Sequence, residues 1–131
     1  MLVEDEPDIQ MVAKIALEVV GGFSIEICSS GQETLDKVLS SNPDLILMDV
    51  MMPGMDGPTL LTKLRERAAS AHFPILFMTA KIQSHEVARY RDMGALGVIP
   101  KPFNPMTLAA QVRSFWDEAQ AALGRPASAT A

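Results

Sequence analysis

Residues 44–57 read DLILMDVMMPGMDG. Residues 45–48 are apolar without a break, Asp49 follows at once, and a loop of Met, Pro, Gly and Asp comes next. A strand with one wet face alternates apolar and polar residues, so an unbroken run signals a strand buried on both faces, as in the middle of a parallel sheet. Parallel neighbours require crossover connections, usually helices. The sequence on either side of this stretch should therefore alternate between strand and helix patterns.

It does. Downstream, Asp56 can cap a helix with Pro58 in its first turn and Leu60, Leu61 and Leu64 on its inner face. Residues 74–78 form a second continuous apolar strand that ends at Thr79-Ala80, and residues 84–93 predict a more polar helix stopped by Gly94. Residues 97–99 are a last short strand, followed by Lys101-Pro102-Phe103. Asn104-Pro105 opens a final helix with Leu108, Val112, Phe115 and Ala119 on one stripe.

Upstream, Leu2-Val3 is a very short apolar start that runs into Glu4, Asp5 and Glu6. Pro7 suits the first turn of a helix, and Ile9, Val12, Ala13, Ala16, Leu17 and Val20 recur at helical spacing until Gly21-Gly22. Phe23, Ile25 and Ile27 alternate with Ser24, Glu26 and Cys28, which predicts an edge strand over residues 23–28. Ser30 and Glu33 make a capping box for a helix carrying Leu35, Val38 and Leu39, closed by Asn42-Pro43.

Five strands alternating with five helices give an α/β fold: a flavodoxin-like (βα)5 sandwich of three layers around a five-stranded parallel sheet. An edge-like second strand and a buried third favour the order 2-1-3-4-5. Ligands of such sheets bind beyond the carboxyl ends of the strands, at the switch point between strands 1 and 3. Glu4 and Asp5 follow strand 1, Asp49 ends strand 3, Thr79 ends strand 4 and Lys101 comes just after strand 5, so every polar feature singled out lies at that edge.

Composition bounds the function. At 131 residues, 48% hydrophobic and 21% charged, the chain has the size and composition of one globular domain. No apolar run approaches the roughly 18–20 residues of a membrane span, and the first residues are acidic where a signal peptide is basic. A cytoplasmic protein is expected. The single Cys28 has no partner for an internal disulfide and is read as a small buried hydrophobe. A net charge of −5 and a pI near 4.9 argue against direct nucleic-acid binding. The nine methionines are read as adaptable core filler, and His72 and His85 as surface residues. The domain is expected to span residues 1–123, with a mobile tail over 124–131.

Three carboxylates at one edge repel one another, so they bind a cation or hold protons. Magnesium suits such a site, since it takes a few carboxylates together with waters and phosphoryl oxygens. A carboxylate on the free side can attack phosphorus and form an aspartyl phosphate. Lys101 would then supply a point charge and Thr79 a hydroxyl donor, with the central Asp49 as nucleophile.

These residues carry a family resemblance. Glu4-Asp5 in LVEDEP, Asp49 in DLILMDVMMPGMDG, Thr79 in MTA and Lys101 in KPF, in this order on successive strand ends, resemble the receiver domain of two-component response regulators from Leu2 to about Leu123. The resemblance implies phosphorylation of Asp49 by a histidine kinase or histidine phosphotransfer protein. It implies Mg2+ held by Asp5, Asp49 and the backbone carbonyl of Met51, with Glu4 assisting through water. Thr79 and Lys101 would bind the phosphoryl oxygens, and the Lys101-Pro102 bond would be cis. The protein would act as a stand-alone switch or phosphorelay intermediate, without an output domain in this chain and without turnover chemistry beyond its own phosphorylation and dephosphorylation. A downstream target would read the face of helix 4, strand 5 and helix 5, on a monomer or a phosphorylation-dependent dimer.

The chain departs from the family pattern at Val98, three positions before the lysine, where an aromatic residue is frequent. Met51 and Lys81 flank the path of an attacking water, and neither is suited to orienting it, so a long-lived phosphoryl state is expected. Each feature alone has a plainer reading: Asp49 as a turn residue, Glu4 to Glu6 as favourable charge at a helix N-terminus, Thr79 as a turn hydroxyl, Lys101 as a solvated charge. Two other functions use the same parts. A metal-dependent phosphatase with an aspartyl nucleophile would carry a second acid two positions on, where Met51 stands, and a pseudo-receiver would keep the fold for binding alone.

Overall fold

The computed structural model describes residues 1–80 and 82–124. The expected mobile tail, but for Gly124, and Lys81 lie outside the described residues. Five parallel strands form one sheet in the order β2-β1-β3-β4-β5: β1 (Leu2–Val3), β2 (Ile27–Cys28), β3 (Ile46–Asp49), β4 (Ile75–Thr79) and β5 (Val98–Pro100). The helices are α1 (Pro7–Ile15), which continues into a π-helical turn (Ala16–Val20), α2 (Gly31–Ser41), α3 (Gly57–Glu66), α4 (Ser84–Asp92) and α5 (Leu108–Ala122). The sequence-derived strand order and three-layer α/β architecture are those observed.

The unbroken apolar runs are explained by helices on both faces. Ile46, Met48, Ile75 and Phe77 point to the side covered by α2, α3 and α4, where Leu35, Val38, Leu60, Leu61 and Leu64 meet them. Leu47, Leu76 and Met78, with Leu2 and Ile99, point to the other side, against Ala13, Ala16 and Leu17 of the first helix and Leu108, Ala109 and Val112 of α5. Period-two alternation thus persists inside an all-apolar run.

The caps follow the sequence. Ser30 Oγ accepts from the Glu33 N–H at 3.1 Å, while Glu33 reaches back to the Ser29 N–H. Asn42 ends α2 in the left-handed region with φ 46°, and Asp56 Oδ1 accepts from the Thr59 N–H at 2.8 Å to start α3.

Several expectations are corrected. The edge strand is two residues long, because a strand exists only where a neighbour pairs with it. β1 offers just Leu2 and Val3, which register with Ile27 and Cys28, so residues 23–25 find no ladder and Glu26 joins it only through its carbonyl, which accepts from the Leu2 N–H at 2.8 Å. In the first helix the sheet takes only Ala13, Ala16 and Leu17, and Val12 and Val20 are exposed. Leu39 is likewise exposed, and Phe115 and Ala119 are only half-buried. α5 begins at Leu108, since Asn104 Oδ1 captures the Met106 N–H in a local turn. Met1, Met48, Met52 and Met78 are core filler as expected, but Met11, Met51 and Met106 are exposed. Cys28 is buried, and His72 and His85 are exposed, as read from sequence.

Candidate functional site

β1 and β3 lie side by side with Val3 opposite Met48. The residues that follow on each strand, Glu4 and Asp49, therefore emerge together at the carboxyl edge of the sheet. β4 and β5 end at the same level, with Thr79 opposite Pro100 and the Lys101 N–H donating to the Thr79 carbonyl at 2.9 Å. Lys101 is followed by a cis peptide bond to Pro102. The topology alone brings four residues spread over 98 positions to one place.

Lys101 is the centre of the arrangement. Its Nζ lies 2.9 Å from Glu4 Oε1 and 3.3 Å from Asp49 Oδ2. Glu4 is 0% and Asp49 3% exposed, so both carboxylates face protein rather than bulk water. Glu4 Oε2 accepts from the backbone N–H groups of Asp5 and Glu6 at 2.9 and 3.3 Å, and Asp49 Oδ1 accepts from that of Met51 at 3.3 Å. Burial pushes the Glu4 carboxyl above its ordinary range, with the Asp49 charge adding to it and the Lys101 bond opposing it. Burial works to lower the Lys101 ammonium, but Glu4 and Asp49 outweigh it and hold the ammonium above its ordinary value.

Glu4, Asp5 and Asp49 each offer an oxygen within 4.8 Å of the others. The donor set fits a small hard cation: all ligand atoms are oxygen, and Asp5, the most exposed of the three, leaves an open side for water or a phosphoryl oxygen.

Backbone hydrogen bonds fix the loop after β3, and with it the position of Asp49. The Val50 N–H donates to the Met78 carbonyl and the Gly57 N–H to the Val50 carbonyl, both at 2.9 Å. Gly57 has no substitute here: a Cβ would stand 2.7 Å from the Asp49 carbonyl oxygen and 3.0 Å from Val50 Cα. Gly54 turns the loop with φ 79°. The Met51 side chain is 68% exposed and points away from the core.

Sequence reasoning missed Gln10, whose Nε2 donates to the Glu4 carbonyl at 2.6 Å and to Ser29 Oγ at 3.1 Å, tying the β1–α1 turn to the end of β2. Nothing in the sequence marks a glutamine one turn into a helix as special. It also missed Tyr90 of α4, which is buried with its ring edge-on to Phe77 at 4.9 Å and its hydroxyl donating to Glu86 at 2.8 Å. Val98 is in register with Phe77 and packs beside this pair. A groove of about 570 Å³ lies at the opposite edge of the sheet, between Phe23, Glu26, Asp44 and Trp116, and takes in none of these residues.

Among the described residues no helix is long and apolar enough to cross a membrane. A family model described as the response regulator receiver domain matches residues 1–113. The chain is 33% identical over 121 residues to response regulator Rre1 of Synechocystis sp., covering 92% of this chain and 52% of that protein. It is 35% identical over 113 residues to the transcriptional regulatory protein DltR of Streptococcus agalactiae, covering 86% and 49%. The chain thus spans about half the length of these curated relatives. The solved structure of the chemotaxis response regulator CheY4 of Vibrio cholerae superposes with a TM-score of 0.79 at 29% identity, over 87% of this chain and 94% of that one.

Proposed function

The chain belongs to the response regulator receiver domain family, and from that premise we propose that it is a phosphoacceptor switch in which Asp49 takes a phosphoryl group from a histidine kinase or histidine phosphotransfer protein. The observation that carries the reading is the Lys101 ammonium held between Glu4 and Asp49 with Asp5 beside them. Three acids and one base at a sheet edge are the parts a phosphoryl group with a divalent cation needs, and a pseudo-receiver has no use for the full set. A phosphatase with an aspartyl nucleophile has no acid where Met51 stands.

In this reading Asp49 Oδ attacks phosphorus as the bond from phosphorus to the partner's imidazole nitrogen breaks, and the imidazole departs with the bonding pair. Asp5, Asp49 and the Met51 carbonyl would hold Mg2+, with Glu4 assisting through water, and the cation would supply neutralising charge for the incoming oxygens. Lys101, charged at neutral pH like any lysine, moves its hydrogen bonding from the carboxylates to a phosphoryl oxygen. Thr79, buried at the end of β4, donates its hydroxyl to another. The change of partners at Lys101 and Thr79 alters the loops after β4 and β5 and, through Phe77, Val98 and Tyr90, the face of α4, β5 and α5 that a downstream protein reads. The protein works in the cytoplasm as a phosphorylation switch or phosphorelay intermediate, with a receiver unit over residues 1–123. The test is intact-mass measurement after incubation with Mg2+ and acetyl phosphate. One added phosphoryl group that Asp49→Ala abolishes is expected, and a phosphoryl group retained by that variant overturns the assignment.

A further inference from the structure

The peptide unit that joins Glu4 to Asp5 is held at both ends by side chains. Its N–H donates to Glu4 Oε2 at 2.9 Å, and its carbonyl accepts from Gln10 Nε2 at 2.6 Å. The same glutamine reaches the turn a second time, because its backbone N–H donates to the Glu6 carbonyl at 2.9 Å. Asp5 therefore sits between two carbonyls, those of residues 4 and 6, that both bond to Gln10.

The sheet leaves this place for a side chain. β2 ends at Cys28 and α2 begins at Gly31, so the ladder that takes the Glu4 N–H into the Cys28 carbonyl at 3.0 Å goes no further, and the Gln10 amide stands in for the next ladder donor. The amide is itself steadied by Ser29, just past the end of β2, whose Oγ accepts from Nε2 at 3.1 Å. One half-buried side chain thus braces the turn of acids against the β2–α2 loop.

The brace works against charge. Glu4, Asp5 and Glu6 are consecutive acids, and Asp49 lies beside the first two, so their carboxylates repel one another until a cation joins them. Glu4 is buried and bonded to Lys101, and Asp49 is 3% exposed, whereas Asp5 is only half-buried and is the carboxylate that a loose turn would release into water. We propose that Gln10 is a positioning residue for the cation, an inference that rests on Asp5 and Asp49 as its ligands. By locking the peptide unit before Asp5, the glutamine keeps that carboxylate aimed at the space it shares with Asp49, so Mg2+ meets ligands already assembled. Partners that orient metal ligands in this way govern affinity by about tenfold or more.

Calorimetric titration of the full chain with Mg2+, without any phosphodonor, reads the effect. Gln10→Leu keeps the bulk and the helix propensity and removes the amide, and it should raise the dissociation constant about tenfold. Ser29 is exposed, so water can take over the freed hydrogen bonds, and the Tm of the variant in EDTA should fall by no more than about 5 °C. A brace that served the fold alone would give the opposite split, a lower Tm with the affinity kept. Ser29→Ala should weaken binding by a smaller factor, and the double variant should bind no more weakly than Gln10→Leu, since Ser29 acts through the glutamine. With acetyl phosphate present, Gln10→Leu should raise the Mg2+ concentration for half-maximal phosphorylation of Asp49 more than it lowers the rate at saturation. An affinity within about twofold of the unmodified protein in Gln10→Leu, or losses that add in the double variant, overturns the proposal even where Asp5→Asn abolishes binding. An unmodified protein that binds no Mg2+, or an Asp5→Asn variant that binds it as tightly, overturns the reading of the cation site and the role of Gln10 with it.

Discussion

Replacing Lys101 with Met removes the one ammonium shared by two buried carboxylates while keeping most of the side-chain length. Its Nζ lies 2.9 Å from Glu4 and 3.3 Å from Asp49, and the side chains are 15%, 0% and 5% exposed. Breaking a buried pair by deleting one partner costs about 3–5 kcal/mol, and the partial exposure of Lys101 places this case at the lower end, about 3 kcal/mol. For a domain of this size that is a fall in Tm of roughly 9–15 °C. The loss should depend on pH, because an uncompensated carboxylate can take up a proton instead. Glu4 already has a proton affinity raised above the ordinary 4.5 by burial, and loss of Lys101 raises it further. A group whose folded pKa is raised contributes stability that is present below its unfolded pKa and lost as pH climbs through the folded value. Lys101 itself, also raised, contributes fully below its ordinary 10.5, so the unmodified protein shows no such loss from this group at neutral pH. The difference in Tm between the two proteins should therefore be small at and below the ordinary carboxyl value of 4.5 and grow as pH rises through the raised folded value of Glu4. Thermal unfolding followed by circular dichroism in EDTA at a series of pH values measures it. Adding Glu4→Gln to Lys101→Met should recover more than half of the loss at neutral pH. A Tm difference that stays constant with pH would refute the buried ion-pair account.

Two further outcomes follow from the same geometry. Magnesium binding to Asp5, Asp49 and the Met51 carbonyl should stabilise the fold by about 1.4 kcal/mol at ten times its dissociation constant, and Asp5→Asn should remove most of the Tm increase without lowering the Tm measured in EDTA; an equal increase in the variant would place the cation elsewhere. Gly57→Ala should cost about 1–3 kcal/mol, read as a lower urea midpoint, because the added Cβ meets backbone at 2.7 and 3.0 Å on two sides and overpacking outweighs the gain in helix propensity of at most about 1 kcal/mol; a midpoint unchanged or raised would show that the β3–α3 loop yields freely.

The site was legible in the sequence because the sheet does the assembling. Once residues 45–48 are read as a doubly covered strand, parallel topology sends Glu4, Asp49, Thr79 and Lys101 to one edge, whatever their separation along the chain. What sequence did not reveal depends on contacts between residues with no pattern of their own. Glu4 looks like one of three acids at a helix start, and only the meeting of β1 with the loop after β5 makes it the buried partner of Lys101. The alternation over residues 23–28 is a sound strand signal, but a strand needs a neighbour, and β1 supplies two residues. The periodic apolar residues of α1 show an amphipathic helix, yet the sheet takes the small face of Ala13, Ala16 and Leu17 and leaves the larger residues outside. Helical spacing marks a stripe, and it does not say which stripe the sheet will choose. Tyr90 sits in a segment read as polar, and its burial follows from direct packing against Phe77 of β4.

The most direct measurement locates the phosphoryl group. An aspartyl phosphate is an acyl phosphate, and borohydride reduces it to homoserine at the modified position, which survives digestion and mass spectrometry. After incubation with Mg2+ and acetyl phosphate, reductive trapping should place homoserine at position 49 and nowhere else, and only traces should form in EDTA or in Lys101→Met. Homoserine at position 5 or 56, or a phosphoryl group that resists borohydride and stays on a hydroxyl such as that of Thr79, would contradict the account.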